Sequence, residues 1–141
     1  MGAKDYLMQV RLMDSSIRQK MSLLTQMRMS ATGLRAVTYD GDKVQNSPGD
    51  RMADVMARIV DLEYEIIDDT LKLVQKKSEV VSDIFMVGDE KLERVLYLRY
   101  VEYLTFSNIA EEMDIDIRQV FRLHGKALYS FEKNCLKSKK V

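Results

Sequence analysis

Apolar side chains recur every three or four positions over two long stretches at the start of this chain. From about residue 3 to residue 31, a single apolar stripe is formed by Leu7, Val10, Met13, Ile17, Met21, Leu24 and Met27. From residue 48 to about residue 86, a near-heptad repeat is formed by Met52, Val55, Ile59, Leu62, Ile66, Leu73, Val80 and Ile84. This spacing predicts two long amphipathic helices, which we expect to fold back on each other as a hairpin or coiled coil.

The periodic pattern fails between residues 32 and 49. Turn-forming residues are concentrated there, including Gly33, Asp40-Gly41-Asp42 and Ser47-Pro48-Gly49, and they predict a loop over residues 32–49. Ser47 can cap free backbone amides, and proline suits the first helical position, so the second helix is predicted to begin at Pro48.

The second predicted helix carries more apolar surface than one neighbouring helix can cover. Its second stripe consists of Met56, Val60, Ile67, Leu71, Val74 and Val81. The first helix would cover one side, and a second subunit would cover the other, so we expect a homodimer. The alternative is a monomeric antiparallel hairpin.

The last third of the chain has the pattern of a helix-turn-helix unit. Gly88 and Asp89 are suited to end one helix and cap the next, and a third helix is predicted over about residues 90–101. Two further helices, capped by Thr105 or Ser107 and by Asp116, would then cross over a shared apolar seam. That seam contains Ile109, Ala110, Met113, Ile115, Ile117, Val120, Leu123 and Ala127.

The predicted fold is therefore all-α. A single proline, six glycines and no tryptophan in 141 residues suit long helices better than a β-sandwich or barrel. We divide the chain into a helical hairpin over residues 1–87, used for dimerisation or docking, and a small trihelical domain over residues 88–141. A domain of that size is near the lower limit for independent stability, so we expect it to lean on the hairpin.

Four polar residues face away from the predicted seam on the last helix: Arg118, Gln119, Arg122 and Lys126. Guanidinium groups bind phosphates or guanine, an amide pairs with adenine, and a helix that carries them fits the major groove. We expect the first three to contact bases, because they lie nearer the start of the helix. Thr105, Ser107 and Asn108 are candidates for contacts to the DNA backbone, with plain helix capping as the alternative.

Charge is distributed unevenly along the chain, although the formal net charge is zero. Residues 116–141 hold seven cations and two anions, a local charge of +5, whereas residues 50–87 hold nine acids and five bases, a local charge of −4. Such polarity suits a protein that presents one end to a polyanion. The neutral total argues against indiscriminate binding to nucleic acid.

Nothing in the sequence indicates an enzyme, a metal site or a cofactor. His124 is the only histidine and Cys135 the only cysteine, which is a poor ligand set for zinc. No glycine-rich phosphate loop or nucleophile with a neighbouring base is present. The chain lacks an apolar run of membrane length, so we expect a cytoplasmic protein.

The segment YLRYVEYLTFSNIAEEM at residues 97–113 resembles region 4 of the sigma-70 family. Residues 4–7, 42–50 and 122–128 resemble small phage-encoded regulators of Gram-positive hosts, of the ArpU-like late-gene type. No segment resembles sigma region 2, so a self-sufficient sigma factor is not expected. The resemblance implies a phage or prophage transcriptional regulator that binds double-stranded DNA in the cytoplasm of the bacterial host.

One small domain makes few phosphate contacts, so useful affinity would require a second copy or a tether to host RNA polymerase, which is therefore a candidate partner. Two other functions fit the same pattern. One is a protein-interaction module that binds polymerase and never contacts DNA. The other is a DNA-packaging adaptor of small-terminase type, which should form large rings instead of dimers.

Overall fold

A computed structural model describes residues 1–39 and 48–137, and in those ranges every regular element is helical. The helices are α1 (Ala3–Tyr39), α2 (Pro48–Ile84), α3 (Glu90–Leu96), α4 (Phe106–Met113) and α5 (Ile117–Phe131). A π-helical turn, Tyr97–Val101, follows α3 directly, and a second one, Glu132–Leu136, follows α5. The predicted all-α class, with a long α1/α2 hairpin ahead of shorter helices, is confirmed.

The loop predicted over residues 32–49 is wrong at its N-terminal end. α1 continues to Tyr39 instead of ending near Ala31, and α2 begins at Pro48, as the capping pattern predicted. Gly33 disfavours a helix by only about 1 kcal/mol, and Leu34, Arg35 and Ala36 are good helix formers, so the helix continues through it. The turn motifs at residues 40–47 lie outside the described residues.

The chain packs as two compact units, each of which takes a part of α1 and a part of α2. We call residues 14–72 the hairpin unit, and residues 1–13 together with 73–141 the composite unit. The sequence analysis divided the chain at residue 88 by function, into a hairpin for dimerisation or docking and a domain for DNA binding. That functional division stays a prediction. Packing groups the chain differently, because the first 13 residues belong with the C-terminal helices.

The hairpin unit is held by one apolar seam between antiparallel helices. Leu24 and Ala31 of α1 are buried against Ile59 and Leu62 of α2. Ion pairs run alongside this seam: Lys20 contacts Glu65 and Asp69, and the guanidinium of Arg28 lies 2.6 Å from a carboxylate oxygen of Glu63.

The composite unit has a core to which four helices contribute. Leu7 and Val10 of α1 are completely buried in it, together with side chains from the end of α2, from α3 and from α5. The Tyr6 hydroxyl donates a hydrogen bond of 2.8 Å to Oδ2 of Asp83, a buried carboxylate. The C-terminal helices are thus supported by the ends of α1 and α2, as their small size led us to expect.

The junction between α2 and α3 follows the sequence signal closely. Gly88 has a φ of +92°, which glycine adopts without steric cost. Oδ1 of Asp89 accepts hydrogen bonds from the amides of Lys91 and Leu92, and Oε2 of Glu93 accepts one from the amide of Gly88. These bonds satisfy backbone donors that the start of a helix leaves free.

Candidate nucleic-acid interface

α4 and α5 cross over a small core of their own. Ile109, Ala110 and Val120 are buried there against Leu98 from the π-helical turn after α3. Ala110 is the small residue in this seam. Met113, Ile115 and Ile117 are half-buried against it, so six of the eight predicted seam residues form this core. Leu123 and Ala127 instead pack into the larger core of the composite unit.

The turn between α4 and α5 depends on Asp114. This residue has a left-handed backbone, with φ 55° and ψ 50°, a conformation that aspartate tolerates better than most residues. The amide of Asp114 donates to the carbonyl of Glu111 at 3.2 Å, and the amide of Ile115 donates to the carbonyl of Ala110 at 3.0 Å. This Schellman motif ends α4 sharply and starts the chain toward α5.

The start of α4 carries three of the candidate DNA contacts. Oγ1 of Thr105 accepts a hydrogen bond of 3.1 Å from the amide of Asn108, so Thr105 is the N-cap. Thr105, Ser107 and Asn108 are all exposed. Capping by Thr105 is thereby established, and contact of these three residues with a DNA backbone stays a prediction.

A second left-handed residue, Tyr103 with φ 61°, turns the chain from the π-helical turn into α4. Arg99 supports this turn: its guanidinium donates a hydrogen bond of 3.0 Å to the carbonyl of Leu104 and lies 4.1 Å from the centre of the Phe106 ring. Sequence reasoning assigned Arg99 no role. The feature that could have indicated this role is the position of Arg99 in the sigma-like segment at residues 97–113, close to the turn.

α5 presents one exposed face that contains the remaining candidates. Advancing by 100° per residue, Arg118, Arg122, Gly125 and Tyr129 lie along the middle of that face. Gln119 and Lys126 lie along one edge. All six are exposed. The four predicted residues therefore share one helix surface, with Arg118 and Arg122 at its centre and Gln119 further to the side.

Asp116 behaves differently from the prediction. It occupies the N-cap position of α5, but its side chain makes no capping hydrogen bond. Its carbonyl oxygen instead accepts hydrogen bonds from the amides of Gln119, at 2.9 Å, and Val120, at 3.2 Å. A carboxylate at this end of a helix is still favourable, because the helix dipole is positive there.

An aromatic cluster that the sequence analysis did not predict joins α5 to α4 and to the π-helical turn after α3. His124 shares a hydrogen bond of 2.7 Å with the Tyr100 hydroxyl, and its ring meets the edge of Phe106 at 5.0 Å between centroids. Phe106 also packs against Phe121, at 4.9 Å. Burial lowers the pKa of His124 below 6.5, with a further contribution from the charges of Arg99 and Lys4, so the imidazole is neutral at pH 7.

Within residues 1–39 and 48–137, no three His, Cys, Asp or Glu side chains come together as a set that could hold a metal ion. None of the helices in these ranges is both long enough and apolar enough to cross a lipid bilayer.

The sequence comparison identifies a family. Residues 34–132 match the sequence model of DUF1492, described as a protein of unknown function. This chain belongs to the DUF1492 family. The match covers 99 of the 141 residues, and all seven candidate DNA contacts of this DUF1492 protein lie inside it. The curated proteins and the solved structures contain no match to the chain.

Proposed function

We propose that this DUF1492 protein is a sequence-specific DNA-binding regulator of phage or prophage transcription that acts together with host RNA polymerase. The observation that carries the proposal is the two-sidedness of α5. One side of the helix is buried, through Val120 in the helix-turn-helix seam and Ala127 in the larger core, and the other side exposes Arg118, Arg122 and Lys126. A recognition helix needs both sides.

In this proposal the candidate residues have different tasks. Arg118, Gln119 and Arg122 are near the start of α5, where recognition helices contact base edges. Lys126 lies one turn further and neutralises a phosphate. The exposed start of α4, with Thr105, Ser107 and Asn108, contacts the sugar-phosphate backbone on the other side of the groove.

The resemblance of residues 97–113 to sigma region 4 supports the assignment to transcription and to the vicinity of RNA polymerase. The resemblance of other segments to ArpU-like regulators supports a phage or prophage origin. The DUF1492 match assigns no function, so the proposed role in transcription is supported by these two resemblances and not by the family.

One small domain makes few phosphate contacts, so useful affinity requires a second copy or a tether. The hairpin unit offers a surface for a second copy. Val60, Tyr64, Ile67 and Leu71 are exposed on α2 at intervals of four, three and four residues, which is the spacing of a coiled-coil seam. We propose that two copies pair through this seam, because a second chain supplies an identical stripe and a second recognition helix.

The proposal is tested with fluorescence anisotropy on intergenic DNA from the phage that encodes the protein, with a salt series and unrelated competitor DNA. We expect saturable binding that survives competitor and weakens steeply as salt rises. Replacing both Arg118 and Arg122 by alanine should lower specific affinity by on the order of a hundredfold, because each arginine contact to a base is worth about 1–3 kcal/mol.

The matched control removes two arginines elsewhere. Arg51 and Arg58 are exposed on α2, so their replacement by alanine changes the net charge equally and should leave specific binding intact. If the Arg118/Arg122 variant binds its operator as tightly as the wild type, the assigned interface is wrong.

The competing function is a protein-interaction module that binds polymerase without contacting DNA. The zero net charge of the whole chain favours it. It would be supported by saturable binding to purified host RNA polymerase together with no preference for any DNA over competitor. A packaging adaptor would instead be recognised by ring-sized particles in light scattering.

A further inference from the structure

Gly125 lies inside α5, where glycine is a poor choice for stability. It destabilises a helix relative to alanine, because glycine loses more backbone freedom on folding. A Cβ built at Gly125 meets no heavy atom within 4 Å, and its φ is not in the left-handed region. Neither the packing nor the backbone of the described protein therefore requires glycine at this position.

The surroundings of Gly125 are exposed and combine cations with two aromatic rings, one of which belongs to Phe121, four residues earlier. It lies on the middle of the outward face of α5, three residues after Arg122 and next to Lys126 in sequence. One turn further along the helix, Tyr129 has 68% of its surface exposed. Residues three or four apart on a helix are neighbours on its surface, so Gly125 forms a shallow gap between a guanidinium and a phenol.

We propose that this gap is a binding subsite for the phosphodiester backbone of DNA. Without a side chain at Gly125, a phosphate and its sugar can lie directly against the backbone of α5. Arg122 and Lys126 then neutralise the phosphate, and the Tyr129 hydroxyl donates a hydrogen bond to one of its oxygens. The subsite rests on the proposed DNA-binding function and adds a contact to it.

The chemistry of the neighbours favours a polyanion over a protein helix as the molecule that approaches. Exposed aromatic rings lie on both sides of the glycine, at Phe121 and Tyr129, but a closely packed helix would also have to cover the cations of this face. The centre of the face carries Arg118 and Arg122, with Lys126 at its edge, and desolvating three cations against a neutral helix is costly. A phosphate compensates that cost, because it replaces water with opposite charge.

The test compares Gly125→Ala with Gly33→Ala in the full-length protein. Gly33 is a matched control: it is also helical and exposed, and a Cβ there also meets nothing within 4 Å. Both variants should raise Tm by about 3 °C, because alanine favours the helix and neither site is crowded. Gly125→Ala should nevertheless lower DNA affinity on the order of tenfold, since the methyl group holds the phosphate away.

The loss at Gly125 should be similar for operator and competitor DNA, because a phosphate contact carries no sequence information. Gly33→Ala should bind both DNAs like the wild type. A more stable Gly125→Ala protein with unchanged DNA affinity would overturn the subsite while leaving the proposed function standing. A Tm below that of the wild type would overturn the premise that the position is open.

A third outcome also overturns the subsite: Gly125→Ala could weaken binding to purified RNA polymerase and leave DNA binding unchanged, which would make this face a protein-binding surface. Failure of the proposed function looks different from all of these, because the wild-type protein itself would then show no DNA binding above competitor.

Discussion

The hairpin unit and the composite unit bury their apolar side chains differently, one in a seam between two helices and the other in a core shared by several helices. In the composite unit, parts of α1, α2, α3 and α5 surround one core, which leaves Leu7, Val10, Ile84 and Phe131 almost without exposed surface. The hairpin unit has only two helices. Its exposed apolar side chains are Met21, Leu23, Met29, Met56, Val60, Tyr64, Ile67 and Leu71.

The difference has a geometric cause. Two helices cover one face of each other and no more, so a helix with apolar stripes on two faces keeps one of them in water until another surface covers it. Three or more helices can enclose a core from several directions. The composite unit thus encloses a core from several directions, although Phe85, Met86, Phe121 and Tyr129 stay exposed, whereas the hairpin unit leaves an apolar stripe along one helix exposed.

Ion pairs do not remove this asymmetry. Hydrogen bonds from Lys20 to Asp69 and Glu65 raise the pKa of the Lys20 ammonium, and they help to fix the register of α1 on α2. Solvent screens such pairs, and exposed pairs typically contribute little to stability. The stability of the hairpin unit therefore depends mainly on its single apolar seam.

Truncation of a buried side chain in the part of α1 that packs into the composite core should destabilise the protein most. Leu7→Ala should cost about 3 kcal/mol of unfolding free energy, because it leaves a cavity in a closed core. Leu12 lies on the same helix with 62% of its surface exposed, and Leu12→Ala should change stability by no more than about 0.5 kcal/mol. Urea unfolding followed by circular dichroism measures both. Equal losses would contradict the inclusion of residues 1–13 in that core.

The outer stripe of the hairpin unit is tested by placing charges on it. Replacing Ile67 and Leu71 by lysine should weaken self-association at least on the order of a hundredfold, because two charged groups would enter an apolar seam. Helicity should be unchanged, since both side chains are exposed in the single chain. Light scattering at several concentrations measures the mass, and Met29→Lys on α1, another exposed apolar position, is the control.

Salt should have opposite effects on self-association and on DNA binding. Asp54, Asp61 and Asp68 follow each other at heptad intervals beside this stripe, so two copies bring acidic rows near one another. Added salt should screen that repulsion and strengthen pairing, while the same salt weakens DNA binding. A wild-type protein that stays monomeric at high concentration and high salt would refute the dimer.

His124 in the composite unit should make only a small, pH-dependent contribution to stability. Because the folded protein holds its pKa below 6.5, the unfolded chain binds more protons in the window just below that value. Stability should therefore be fully present above pH 6.5 and should decline as the pH falls through the lower, folded-state pKa. His124→Gln should abolish this part of the pH dependence. Thermal unfolding between pH 7.5 and about 5.5, before most carboxylates titrate, measures the slope, and an unchanged slope in the variant would assign it to another group.

Local signals in the sequence predicted the individual elements well. The all-α class, the start of α2 at Pro48, the break at Gly88 with its Asp89 cap, and the α4/α5 seam all follow from side chains within a few residues of one another. Helical periodicity, capping and turn conformation are local properties, so the amino-acid sequence by itself determines them. The same locality explains why the exposed set on α5 could be named in advance.

Other features depend on contacts between residues that are far apart in the sequence, and only the folded structure reveals them. It carried α1 past Gly33, placed residues 1–13 in a core with the C-terminal helices, and put His124 between Tyr100 and Phe106. It also left open space around Gly125. Each of these features depends on how surfaces from distant parts of the chain pack together. Helical periodicity states only that a face is apolar, and packing decides what covers it.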